Sequence, residues 1–192
     1  MGLHIHTLNS LPENVHRDYY VYLLDYGGKE DLGAALKNNF ERMSKLAEKS
    51  NAIVIAGTDE HFQDEVFSWH NINGENGEQL LPAILITNRH PLTFKKNNKI
   101  FQNHSILVEV EENLGFILIP LRKCCKTTSE VVDLIEGVFK DIQDKKSLSN
   151  FVIEREMKKG FGNAVANGIV LKPNFMGLGY DFNSWVDFFK KK

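Results

Sequence analysis

Two apolar runs joined by one amphipathic helix constrain this chain more than any other feature. Residues 19–26, Tyr-Tyr-Val-Tyr-Leu-Leu-Asp-Tyr, are aromatic and branched and stop at Gly27-Gly28, the pattern of a buried strand followed by a turn. Asp31 stands where a helix cap is needed. After it Leu32, Leu36, Phe40, Met43 and Leu46 recur at three- and four-residue spacing, with Lys37, Glu41, Lys45 and Glu48 on other faces. The spacing predicts one long helix ending near Ser50-Asn51. Ala52 to Ala56 is then wholly apolar, as a central parallel strand covered on both faces requires. Strand, helix and strand make a βαβ unit with a right-handed crossover, so the fold class is α/β.

The rest of the chain extends that unit. Phe62, Val66, Trp69 and His70 give a weaker helical pattern over 60–70, followed by a polar loop whose Asn-Gly-Glu-Asn-Gly run is turn material. Pro82 opens a third strand, Ala83-Ile84-Leu85-Ile86-Thr87. Ile106 to Val110 and Phe116 to Leu121 read as a hairpin around Glu111 to Gly115. Thr127 and Glu130 form a capping box before Val131, Leu134, Ile135, Val138, Phe139 and Ile142.

This order, with a proline opening the third strand, resembles the thioredoxin-like fold superfamily over residues 1–145. The resemblance implies a βαβ-ββα sheet with helices on both faces, an insertion near 92–113, a cis Leu81-Pro82 bond, and Pro82 facing the turn after the first strand. Redox members carry Cys-x-x-Cys in that turn. Here it reads Asp25-Tyr26-Gly27-Gly28-Lys29-Glu30-Asp31, with no thiol. The alternative is a flavodoxin-like doubly wound sheet, which a parallel third strand would indicate.

Residues 146–192 form a C-terminal extension of different character. A short strand is expected near Gly168 to Pro173, and Asp181 can cap a last helix with Phe182, Trp185, Val186 and Phe189 on one stripe. That aromatic load is too large to leave in water, so the extension packs on the domain or on a partner.

Composition narrows the chemistry. The chain has 192 residues, 42% of them hydrophobic and 25% charged, within the range of ordinary globular domains. With 23 Lys and Arg against 25 Asp and Glu, the formal charge is -2, which provides no field for gripping phosphate backbones. Nucleic acid is not the expected partner. No apolar run approaches the roughly 20 residues that span a bilayer, and no secretory pattern opens the chain, so the expectation is a cytoplasmic protein. Cys124 and Cys125 are adjacent, a spacing that strains a disulfide; they read as part of an ordinary sheet-to-helix connection, away from Pro82.

Polar residues collect at the strand ends. Asp25, Asp59, His61, Arg89 and His90 are the candidate catalytic group, able to serve acid-base work if they converge. His4 and His6, or His61 and Glu65, share a face without a third ligand at recognisable spacing, so no metal is expected. Gly160-Phe161-Gly162-Asn163-Ala164-Val165 lacks the third glycine of a dinucleotide fingerprint, and no cofactor is expected. These readings favour a non-catalytic protein-binding or scaffold module, contacting a protein partner or a second copy through Tyr26, Pro82, Phe182, Trp185 and Phe189. The alternative is a small-molecule hydrolase or transferase built on the Asp/His/Arg group.

Overall fold

The computed structural model describes residues 1–27, 30–70, 72, 80–95 and 115–153, and the backbone of 169–171. Its elements in order are β1 (Gly2–Ile5), β2 (Tyr19–Leu24), α1 (Asp31–Asn38), α2 (Phe40–Glu48), β3 (Ala52–Gly57), α3 (His61–Trp69), β4 (Ala83–Thr87), β5 (Phe116–Pro120), α4 (Leu121–Cys124), α5 (Thr128–Gln143) and β6 (Ile169–Leu171). One sheet has the order β1-β3-β2-β4-β5-β6. β1 and β2 both run parallel to β3, whereas β4 is antiparallel to β2, β5 to β4 and β6 to β5. The fold is therefore mixed α/β. The antiparallel β4 departs from the doubly wound parallel alternative, and the Leu81-Pro82 bond is cis.

The strands show no hydrophobic alternation in sequence because both faces are covered. Side chains nevertheless divide by the two-residue period of a strand. Tyr19, Val21, Leu23, Val54, Ile84, Ile86, Ile117 and Ile119 join one core with α1, α2 and α5. Tyr20, Tyr22, Leu24, Ile53, Ile55, Leu85 and Leu118 join a second core with Leu8, Leu11, Phe62, Val66 and Phe94.

The single helix predicted after the first turn is broken at Asn39, whose backbone lies at φ -93° and ψ 4°. The side-chain amide of Asn39 donates to the Ala35 carbonyl at 2.8 Å, competing with the helical ladder. The break lets α1 pack on α5 while α2 reaches β1 and β3. Asp31 is the first helical residue, and Glu30 occupies the cap position. After α2 the chain turns at Asn51 with φ 48°, left-handed as the predicted stop requires. The capping box forms: Thr127 Oγ1 accepts from the Glu130 N–H at 3.3 Å, while the Glu130 carboxylate reaches the N–H of Lys126.

Beyond α5 the chain continues into the same core, where Phe151 is fully buried. Asp141, 1% exposed, fastens this segment. Its carboxylate accepts from Lys146 Nζ and from the Val152 N–H, and Tyr19 Oη donates to the Lys146 carbonyl at 2.5 Å. Asp141→Ala is expected to lower stability by about 2 kcal/mol, the scale of a lost charge-assisted hydrogen bond. In thermal unfolding this corresponds to a fall of about 4–8 °C for a chain of this size.

β1 has no counterpart among the strands read from sequence; its four residues are too few to show a strand pattern. The predicted strand at 106–110, and Phe182, Trp185, Val186 and Phe189, lie outside the described residues. No helix among the described residues is long and apolar enough to cross a membrane.

Candidate functional site

Three connections meet at the carboxyl end of β2. The first is the β2–α1 turn, where Gly27 adopts φ 101°, a conformation that favours glycine. The second is the start of α3. Gln63, 4% exposed, donates through Nε2 to the Asp25 carbonyl, and Asp64 Oδ1 accepts from Tyr26 Oη at 3.2 Å. The third follows β5. Arg122 donates through Nε to Glu30 Oε2 at 2.9 Å and through Nη2 to Glu30 Oε1, so the guanidinium clamps the residue before α1.

The β2–β4 register pairs Leu24 with Ala83. Pro82 therefore lies one residue beyond the pair, level with Asp25. Its carbonyl accepts from the Leu121 N–H at 2.8 Å. Pro82 itself is buried, and of the two predicted contact residues in this frame, Tyr26 is the one with exposed surface.

The Asp25 carboxylate lies over the first turn of α1. A Cβ built at Gly33 would stand 2.8 Å from Asp25 Oδ1, so the absence of a side chain there admits the carboxylate. Beneath the turn, Gln63 Oε1 is buried with no hydrogen-bond partner among the described residues.

The five candidate catalytic residues do not form one group. Asp25, Asp59 and His61 follow parallel strands at one end of the sheet. Asp59 accepts from the His61 N–H at 2.9 Å, and its Oδ2 lies against His6 Nδ1. Arg89 and His90 follow β4, whose Thr87 pairs with Tyr20 at the start of β2, so they stand at the opposite end. There Thr87 Oγ1 accepts from the Arg89 N–H at 3.2 Å, and His90 meets the Pro12 carbonyl through Nε2 at 3.3 Å. Neither of two surface cavities, of about 580 and 430 Å³, is lined by any of the five. Strand direction, which the sequence does not display, separates them.

The same directions move the cysteines. β5 runs antiparallel to β4 and pairs Pro120 with Ala83, so Cys124 and Cys125 follow the sheet end that holds Pro82 and Asp25. The expectation that they lie away from Pro82 is corrected by this register. Both are free thiols. Burial pushes Cys124 up to about 11 and Cys125 to about 12, with Lys123 opposing the first shift and the neighbouring Cys124 adding to the second. Near neutral pH both are held as thiols, the form that does not attack disulfides.

The histidine pairs considered for metal are engaged separately. His4 stacks on Phe40 with ring centroids 4.1 Å apart, and the Glu65 carboxylate accepts from Thr7 Oγ1 at 2.8 Å and from the Leu8 N–H at 2.6 Å. Among the described residues no group of three or more His, Cys, Asp or Glu is placed to hold a metal ion. Sequence reading missed Gln63, whose role depends on α3 docking beside β2, and Glu30, whose partner is 92 residues away. Compared with protein-family models, curated proteins and solved structures, the chain matches none of them.

Proposed function

We propose that this chain is a non-catalytic binding or scaffold module with a thioredoxin-like frame that lacks redox thiols, acting in the cytoplasm on a protein partner or a second copy. The observation that carries this reading is the turn after β2. Where a redox member of that superfamily would carry its thiol pair, this turn is tied by Gln63, Asp64 and Arg122 to neighbouring elements and presents Tyr26 at the surface. The strand order and the antiparallel β4 support the frame. The protonated state of the half-buried Cys124 and the buried Cys125 supports the absence of exchange chemistry.

Insulin reduction with a thiol donor tests the chemistry, and the expected rate equals that of the donor alone. Turnover that disappears in a Cys124→Ser, Cys125→Ser double variant would show the vicinal pair to be active. A photo-crosslinking side chain at position 26, compared with one at the exposed Lys140 of α5, tests the surface. A discrete adduct from position 26 alone is expected; equal labelling from both positions would defeat the reading.

A further inference from the structure

His70 has the deepest burial of the described histidines. The ring is fully buried at the C-cap of α3, between aromatic residues from three other segments. Ring centroids lie 4.3 Å from Phe94 in the helical stretch 91–95, 5.4 Å from Tyr22 of β2 and 5.6 Å from Phe116 of β5. Nδ1 stands 2.8 Å from the Val66 carbonyl. A carbonyl only accepts, so Nδ1 carries the ring proton and the neutral ring offers Nε2 as a bare acceptor. Among the described residues neither the buried Nε2 nor the buried Tyr22 hydroxyl has a hydrogen-bond partner.

We propose that His70 is an acid-sensitive latch: as neutral imidazole it holds Phe94 and Phe116 against Tyr22 on the α3 face of the sheet, and uptake of a second proton opens that cluster. A proton on Nε2 places a cation among three aromatic rings and creates a buried donor with no acceptor among the described residues. The surroundings offer the charge no counter-ion among the described residues. β2 contributes the Tyr22 phenol, which burial keeps protonated. β5 contributes Phe116. The 91–95 stretch contributes Phe94 and then Lys95, whose ammonium lies 4.4 Å above the Trp69 ring and donates to Asn9. On α3 itself, Glu65 is turned to Thr7 and Leu8. Desolvation lowers the His70 pKa to about 4, with the Val66 carbonyl opposing the shift.

The direction of the pH dependence follows. Because the folded value lies below the ordinary 6.5, the unfolded or opened ring binds the proton more tightly. The latch is therefore fully effective above about pH 6.5 and weakens as pH falls, the closed-to-open ratio dropping toward a limit of about 300-fold that is reached only below pH 4.

The test is a titration of the intact protein with ring-labelled histidine, followed by NMR from pH 7.5 to 3.5. The expected record is one ring that keeps its Nδ1–H tautomer to about pH 5 and loses its contacts to Phe94 and Phe116 as it takes up a proton. A His70 that titrates near 6.5 or above, or that protonates with those contacts intact, overturns the proposal. In parallel, the acid midpoint of near-ultraviolet circular dichroism in His70→Phe is expected to fall by at least one pH unit. An unchanged midpoint in that variant counts equally against the latch, and if the variant does not fold the titration decides alone.

Discussion

Ending the chain after residue 167 is expected to raise its mass in solution and to lower its melting temperature by about 5–10 °C. β6 pairs Ile169 with Leu118, Val170 with Ile117 and Leu171 with Phe116. Without it, the outer edge of β5, a Phe-Ile-Leu-Ile-Pro strand with every residue buried, loses its hydrogen-bonding neighbour. An unpaired apolar edge recruits another strand, and the lost ladder costs roughly 2–3 kcal/mol at about 1 kcal/mol per net hydrogen bond. Light scattering coupled to gel filtration reads the first effect and calorimetry the second. A truncated chain with the mass and melting temperature of the full one would mean that β6 contributes nothing to closing the sheet.

The second large effect is expected where β3 ends against α3. A Cβ at Gly57 would stand 2.4 Å from Phe62 Cβ and 2.5 Å from its Cγ, closer than such atoms approach. Because Phe62 Cβ is fixed to the helix, rotation of the side chain cannot relieve the contact. Gly57→Ala is expected to cost about 3 kcal/mol, the upper end of overpacking penalties. Phe62→Ala is expected to cost about 3–5 kcal/mol, because a fully buried ring beside Tyr22 is removed. The double variant should lose less than the sum by about 1 kcal/mol or more, since removing the ring takes away the Cγ and Cδ1 clashes and leaves only the Cβ contact for a small outward displacement of α3 to relieve. Urea unfolding of all four proteins gives this coupling directly; strict additivity would show that the two residues do not share one space.

β2, β3, β4 and β5 were legible because a run of branched and aromatic residues bounded by Gly, Pro or Asn has few conformations that bury it. The start of α5 was legible because a capping box acts within four residues. Helix α2 was legible as helix but not as a separate one, since the deviation at Asn39 depends on one side chain bonding the Ala35 carbonyl of the preceding turn. The sequence places His70 only at the end of a helical pattern; its full enclosure comes from Phe94 and Phe116, which belong to segments far along the chain.

The site divides in the same way. That the turn after β2 carries no thiol, and that Pro82 opens the third strand, belong to the order of residues alone. Which polar groups share an end of the sheet does not. Arg89 and His90 part from Asp25, while Arg122 and the two cysteines join its end, because β4 runs against β2 and β5 runs against β4. Strand direction is settled by hydrogen bonds between segments far apart in the chain, and no local propensity encodes it. Local pattern therefore determined what each segment is, and long-range pairing determined which segments meet.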